Sequence, residues 1–130
     1  MPKAPSEIRL ARLELQIMNV VWDKEKATVY DVKEALSQGR KPAYSTILTM
    51  MRNLETKGYL THDVDDRTYV YRPLVSRQTA RRGMLRDLLE RLFEGSPSLL
   101  MSSLVEETGI TEEELREIRK LIGRRRTKNE

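Results

Sequence analysis

The chain has 130 residues, 38% hydrophobic and 34% charged, with 24 Lys and Arg against 20 Asp and Glu and a formal net charge of +4. It contains no Cys and a single His, which excludes disulfides, thiolate metal sites and thiol catalysis and disfavours most acid–base sites. We therefore expect one or two small domains, no enzymatic activity, no metal and no cofactor. No apolar run approaches the roughly 20 residues of a membrane span, and no secretory signal is evident, so a cytoplasmic protein is expected.

Two amphipathic helices are predicted at the start of the chain. The first covers residues 10–22, where apolar residues recur at three- and four-residue spacing. Residues 23–27 are charged and turn-like. A Thr-x-x-Asp capping box at Thr28 and Asp31 begins the second helix, and Gly39 is expected to end it.

A third helix is predicted over residues 43–58, with Gly58 as its C-cap. Its apolar residues follow the i, i+3, i+4, i+7 pattern that places them on one side of a helix. These residues are Ile47, Met50, Met51 and Leu54.

A β-hairpin follows, because the periodicity changes from 3.6 residues towards 2. Residues 60–64 and 67–72 are the predicted strands, and Asp65 and Asp66 form the turn. Since this turn lacks the glycine of a tight hairpin, a slightly longer loop is expected. Three helices followed by a hairpin predict a winged helix-turn-helix domain over residues 1–75.

Residues 76–130 are predicted to form a second domain of three helices. The Ser96-Pro97 pair is typical of a helix start, and Gly109 of a helix end. A second capping box spans residues 111–114 and begins the last helix. The basic tail from residue 123 onwards is expected to fray.

The apolar side chains of these last helices are expected to need a partner. About 45 helical residues are too few to bury such a stripe readily. A second copy of the chain, bound through a two-fold interface, is the simplest partner. The predicted dimerisation residues are Leu85, Leu88, Leu89, Leu92, Phe93, Leu100, Met101, Leu104, Leu115, Ile118 and Leu121.

The side of the third helix that faces away from its apolar residues carries small hydroxyls, one guanidinium and no acid, with Glu55 on its flank. Small side chains let a helix backbone approach base edges in the major groove. Hydroxyls are also common on solvated helices, and it is the position just before a hairpin that favours DNA binding. The predicted DNA-binding residues are Tyr44, Ser45, Thr46, Thr49, Arg52, Asn53, Thr56, His62 and Arg67.

Five ordered segments resemble the BlaI/MecI family of bacterial transcriptional repressors, the penicillinase repressor family. The segments are LELQIMNVVW (13–22), YSTILTMMRNLETKGYL (44–60), TYVYRPLVS (68–76), FEGSPSLLMSSLVEE (93–107) and ITEEELREI (110–118). The resemblance implies a homodimer with an N-terminal winged-helix DNA-binding domain and a C-terminal dimerisation domain, bound to a palindromic operator. It implies base-reading roles for Thr46 and Thr49, with Ser45 and Arg52 beside them, and a wing over residues 62–67 on the phosphate backbone.

Three departures from the family pattern limit what the resemblance implies. Ala43 occupies the usual N-cap of the recognition helix and has no capping oxygen. Ser103 and Leu104 stand where some relatives have the Asn–Phe bond cut by a membrane sensor protease, which weakens the expectation of such a partner. The C-terminal Cys pairs of the copper-responsive branch are absent, so no copper switch is expected.

Two other interpretations of the function of these residues remain open. A winged helix that docks on a protein would need apolar residues on the exposed side of the third helix, and only Leu48 lies near it. An enzyme is a more distant alternative, because a nucleophile with its base is missing. His62 could touch phosphate, but a lone histidine on an edge strand is more often solvated and without a partner.

Overall fold

The structure, a computed structural model, describes residues 8–37 and 41–129. These residues form a mainly α-helical fold with one two-stranded antiparallel sheet, as expected from the sequence. None of the described helices is both long and apolar enough to cross a membrane. The elements are α1 (Arg12–Lys24), α2 (Val29–Ala35), α3 (Tyr44–Thr56), β1 (Leu60–Asp65), β2 (Thr68–Pro73), α4 (Arg77–Leu92), α5 (Pro97–Thr108) and α6 (Glu112–Asn129).

The start of α2 confirms the predicted capping box. The hydroxyl of Thr28 accepts from the backbone N–H of Asp31 at 3.0 Å, and the carboxylate of Asp31 accepts from the N–H of Thr28 at 3.0 Å. The two bonds satisfy N–H groups that have no partner within the helix. The helix ends at Ala35 with Leu36 as its C-cap, which is earlier than predicted, and Gly39 itself lies outside the described residues.

The end of α3 confirms the predicted role of Gly58. This glycine has a φ of +92°, a conformation that residues with a Cβ rarely adopt. Its N–H donates to the carbonyl of Glu55 at 3.0 Å, and the N–H of Tyr59 donates to Leu54 at 2.9 Å. This pair of bonds is a Schellman motif, and it turns the chain from α3 directly into β1.

A short backbone pairing holds the hairpin to the segment between α1 and α2. Ala27 and Tyr71 exchange two N–H···O bonds of 2.8 Å each, so Ala27 extends the sheet by one residue. The sequence predicted only a turn over residues 23–27. The pairing was missed because it joins backbone groups that are far apart in the chain.

The hairpin turn is tighter than the sequence predicted. Asp65 pairs with Thr68, so only Asp66 and Arg67 lie between the strands. Both have positive φ, +48° and +70°, as a type I′ turn requires. The expectation of a longer loop is therefore wrong. The strand register fixes the two-residue turn, and its residues adopt the left-handed conformation without glycine.

The core of the first half of the molecule gathers apolar residues from α1, α2, α3 and the hairpin. Its fully buried members fix which side of each helix faces inward, because residues three and four apart share one helix face. The largest are Ile17, Met18, Val21, Val32, Ile47, Met51, Leu54, Leu60 and Tyr71.

The chain divides into two compact units, Met1–Asp87 and Leu88–Glu130. The division lies within α4, later than the predicted boundary between residues 75 and 76. The first part of α4 belongs to the first unit because Ala80 is buried there. Gly83 lets Ile8 pack closely, since a Cβ at this glycine would lie 2.5 Å from Cγ1 of Ile8.

The second unit has the predicted helix starts and ends. Ser96 caps α5 by accepting from the N–H of Leu99 at 3.1 Å, and Gly109 ends that helix with a φ of +60°. At the start of α6, Thr111 accepts from the N–H of Glu114 at 3.2 Å.

In the described residues α6 continues to Asn129, and the fraying of the tail from residue 123 stays a prediction. Arg and Lys have high helix propensity, and their charge is favourable at a helix C-terminus.

Candidate nucleic-acid interface

The side of α3 opposite the core is fully open to solvent. Ile47, Met51 and Leu54 are completely buried and so orient the helix. The residues between them point away from the core, as the sequence predicted. We use the name outer face for Ser45, Thr46, Thr49, Arg52, Asn53 and Thr56, all of which are exposed.

The outer face offers hydrogen-bond donors and one positive charge. No hydrogen bond or ion pair joins the guanidinium of Arg52 to the described part of the chain. The hydroxyl of Thr56 donates to the carbonyl of Arg52 at 3.1 Å, so this donor is used within the helix. The outer face therefore presents the guanidinium of Arg52, which has no partner among the described residues, together with the hydroxyls of its earlier turns.

The first turn of α3 lacks a side-chain cap. Ala43 is the N-cap residue and makes no capping hydrogen bond, as its side chain implies. Tyr44 follows and is exposed, so its ring is available beside the outer face.

The hairpin projects Arg67 at its tip. Arg67 is exposed in the two-residue turn, and Val64 beside it is also exposed. At the base of the hairpin, Arg72 and Asp63 form an ion pair across the strands at 3.1 Å. The residues predicted to form a wing on DNA are thus solvent-accessible from Asp63 to Arg67, whereas His62 is half-buried.

A groove runs between α2, α3 and the hairpin and encloses about 470 Å³. Its lining includes the guanidinium-bearing residues Arg52 and Arg67 and no acidic residue. This arrangement suits a negatively charged group, because the charged residues that line the groove are both cationic. The groove is lined by Thr28, Val29, Tyr30, Tyr44, Leu48, Arg52, Arg67, Thr68, Tyr69 and Tyr71.

The sequence did not assign the groove residues Thr28, Tyr30 and Thr68 to the site. Tyr30 is exposed in the first turn of α2, next to the capping box. An exposed aromatic residue at that position was a signal that could have pointed to it. Thr28 and Thr68 carry no such signal, because only the packing of the hairpin against α2 brings them together.

Tyr71 forms the inner wall of the groove and is fully buried. Its hydroxyl has no hydrogen-bond partner among the described residues. Burial raises the pKa of Tyr71 above its usual value, the nearby carboxylate of Glu55 raises it further, and Arg52 opposes the change. Tyr71 therefore stays neutral at physiological pH.

His62 has partners on two elements, so the expectation of a solvated residue without a partner is wrong. Its Nδ1 lies 2.7 Å and 2.8 Å from the two carboxylate oxygens of Glu55 on α3. Its ring stacks on Tyr69 of β2 with centroids 4.0 Å apart and an interplanar angle of 10°. Sequence reasoning missed these contacts because they form only when the hairpin folds back against α3.

In the second unit, none of the predicted dimerisation residues is buried by its own chain. Four of them are exposed, and Leu92 has the largest exposed fraction, 65% of its surface. These four are Leu88, Leu92, Leu104 and Leu121. The remaining residues of that set within the unit are half-buried. Leu85, in the first unit, is also exposed. Within the second unit, the single chain therefore leaves these apolar side chains exposed or only partly covered.

Comparison with known proteins points to one family. The family model described as penicillinase repressor matches residues 10–124. The transcriptional regulator BlaI of Mycobacterium tuberculosis is 34% identical over 106 residues, which cover 80% of this chain and 77% of that protein. The methicillin resistance regulatory protein MecI of Mammaliicoccus sciuri is 22% identical over 116 residues, covering 89% of this chain and 94% of that protein.

A solved structure resembles the first part of the chain. It is the solution structure of the DNA binding domain of the repressor BlaI, with 30% sequence identity and a TM-score of 0.51. The match covers 61% of this chain and 93% of that domain. Together with the order of three helices and a hairpin, this likeness identifies the first unit as a winged helix.

Proposed function

The chain belongs to the penicillinase repressor family, and from that membership we propose that it represses transcription by binding palindromic operator DNA as a homodimer. The observation that carries the proposal is the outer face of α3, which presents hydroxyls and the uncommitted guanidinium of Arg52. Thr46 and Thr49 are the proposed base-reading residues. Such side chains hydrogen-bond to bases or phosphates and pack against thymine methyl groups in the major groove.

The groove beside α3 supports a second set of contacts, to the DNA backbone. Arg52 and Arg67 line it from opposite elements, and no acidic residue is among its lining. A phosphate contact from Arg67 would position the protein on the duplex without selecting sequence, whereas Arg52, which also belongs to the outer face, is proposed to contact bases. Arg67 at the tip of the hairpin is the proposed wing contact. Tyr44 and Thr28 line the same groove.

The homodimer is supported by the apolar surface of the second unit. Exposed leucines on α4, α5 and α6 would cost free energy in water unless a partner covers them. A second copy covers them symmetrically, which also pairs two recognition helices. Two such helices related by a two-fold axis would enter successive major grooves about 34 Å apart, so the proposed operator is an inverted repeat.

A winged helix that docks on another protein is the competing proposal, and the outer face weighs against it. Protein interfaces are enriched in aromatic and apolar residues at their centre. The outer face contains none, and Leu48 beside it is half-buried. The proposed role is accordingly that of a DNA-binding protein without catalytic activity. Cleavage by a membrane sensor protease is not part of the proposal, because Ser103 and Leu104 replace the Asn–Phe bond of some relatives.

A mobility-shift assay tests the proposed function. The full chain is titrated into inverted-repeat promoter duplexes from its source genome and into scrambled duplexes of the same length. We expect tighter binding to at least one inverted repeat, with an affinity that falls steeply with salt because bound phosphates release counterions. Equal affinity for every duplex, or no binding, would refute the proposal.

A further inference from the structure

The carboxylate of Glu55 is the single acidic group on α3, and it lies next to the surface proposed to meet DNA. Both of its oxygens lie within hydrogen-bond distance of Nδ1 of His62, at 2.7 and 2.8 Å. Because an ionised carboxylate only accepts hydrogen bonds, Nδ1 is the donor. Glu55 is therefore held on the flank of α3 by a residue of the hairpin.

The ring of His62 is itself held in place by the second strand. It stacks face to face on Tyr69 and makes a tilted contact with Tyr71, whose centroid lies 5.6 Å away. The opposite strand thus fixes the direction in which Nδ1 points. Glu55 and His62 are both half-buried, which restricts the competition of water for their contact.

Arg52 lies three residues before Glu55 on the same helix. Side chains at this spacing are neighbours, so an Arg and a Glu so placed are able to form an ion pair. Such a pair would draw the guanidinium towards Glu55 and neutralise the one charge of the outer face. Among the described residues this pair is absent, and Glu55 contacts His62 instead.

We propose that His62 is a positioning residue for DNA binding: it holds the carboxylate of Glu55 on the flank of α3 and so keeps Arg52 available for operator DNA. The inference rests on the proposed function and gives a specific role to a residue that the sequence placed in the wing without a partner. Its distinctive consequence is that loss of His62 harms DNA binding only while Glu55 carries a charge.

A double-mutant cycle tests this consequence. The variants are His62→Ala, Glu55→Gln and the combination of both, measured by fluorescence anisotropy. The probes are an inverted-repeat duplex that the wild-type chain prefers and a scrambled duplex. We expect His62→Ala to weaken binding to the preferred duplex about tenfold, as contacting charged residues commonly couple. The affinity of the combined variant for the preferred duplex should lie within about threefold of that of Glu55→Gln.

Asp23→Asn provides the matched control, because it removes one negative charge from an ion pair with Arg77 that lies on other elements. A general effect of net charge would make Asp23→Asn rescue His62→Ala as well as Glu55→Gln does. The inference requires that it does not. Denaturant unfolding of each variant identifies any loss of binding caused by unfolding.

The possible results separate the two proposals. If the wild-type chain prefers no duplex, the proposed function fails. Suppose instead that the wild-type chain binds as expected. If His62→Ala then leaves the affinity for the preferred duplex unchanged, or if the affinity stays low when His62→Ala is combined with Glu55→Gln, the positioning role is overturned and the proposed function stands.

Discussion

The ammonium of Lys57, immediately after α3, lies 2.8 Å from a carboxylate oxygen of Glu14 in the first turn of α1. The other oxygen of Glu14 accepts from the backbone N–H of Ala11 at 3.0 Å. Glu14 is only 5% exposed. This carboxylate therefore caps α1 and at the same time joins it to the C-terminal end of α3.

Glu14→Ala is expected to lower the free energy of unfolding by roughly 2 kcal/mol, because it removes a buried group with two hydrogen bonds, one of them to a charged donor. Chemical denaturation monitored by circular dichroism measures this. Asp63→Ala, which breaks the exposed pair with Arg72, should change stability by less than about 1 kcal/mol. Equal losses in the two variants would show that the Glu14 contact contributes no more than a surface ion pair.

Tyr71→Phe is expected to raise the free energy of unfolding by about 1 kcal/mol. The hydroxyl of Tyr71 is buried without a partner among the described residues, so its removal relieves a desolvation cost. Thermal or chemical denaturation measures the change. Tyr30→Phe serves as the control, because Tyr30 is exposed and its hydroxyl is solvated. A destabilised Tyr71→Phe would contradict this account of the hydroxyl.

The raised pKa of Tyr71 also gives stability a pH dependence. Since the folded state holds this proton more tightly than the unfolded state, the contribution is fully present below the usual tyrosine pKa of about 10. It is lost as pH rises from there towards the folded-state pKa. We expect Tyr71→Phe to show a shallower loss of stability above pH 10 than the wild-type chain. Identical pH profiles for the two proteins would contradict this.

Substitutions in the two parts of the interface should separate sequence preference from overall affinity. Thr49→Val or Arg52→Ala is expected to reduce discrimination between operator and random duplex by about 1–3 kcal/mol, whereas Arg67→Ala should weaken both alike. Anisotropy titrations on both duplexes at fixed salt measure this. The assigned roles would be wrong if Arg52→Ala weakened binding to both duplexes equally, or if Arg67→Ala weakened binding to the operator duplex alone.

Leu92→Arg is expected to convert the proposed dimer to a monomer by placing a charge among the exposed apolar side chains of the second unit. Sedimentation equilibrium measures the change in mass, and operator affinity should fall because one recognition helix is lost. Glu90→Arg introduces the same side chain two residues away, at an exposed position on the other side of α4, and should leave the dimer intact. A Leu92→Arg protein that remains dimeric would place the interface elsewhere.

Local chemistry explains why so much of the fold could be predicted from the sequence. The capping box at Thr28 and the glycines at 58 and 109 each act within a few residues, so their effect is visible in the chain itself. The outward orientation of the α3 hydroxyls likewise follows from the spacing of its apolar residues.

Contacts between distant residues could not be predicted in this way. Glu14 and Lys57 are 43 residues apart in sequence, and the local sequence around neither residue indicates the ion pair. The pairing of Ala27 with Tyr71 and the packing of Ile8 against Gly83 depend on tertiary structure in the same way. The candidate site shows this most clearly, because His62 acquires its partner Glu55 only when the hairpin lies against α3.

Selection of bound fragments from the genomic DNA of the source organism tests whether the chain binds an inverted-repeat operator as a dimer. The full chain is mixed with sheared genomic duplexes, and the retained fragments are sequenced. We expect a shared inverted repeat with half-site centres about one helical turn apart, roughly 10 base pairs. Retained fragments that share no sequence, or that share an unrepeated half-site bound by one subunit, would contradict it.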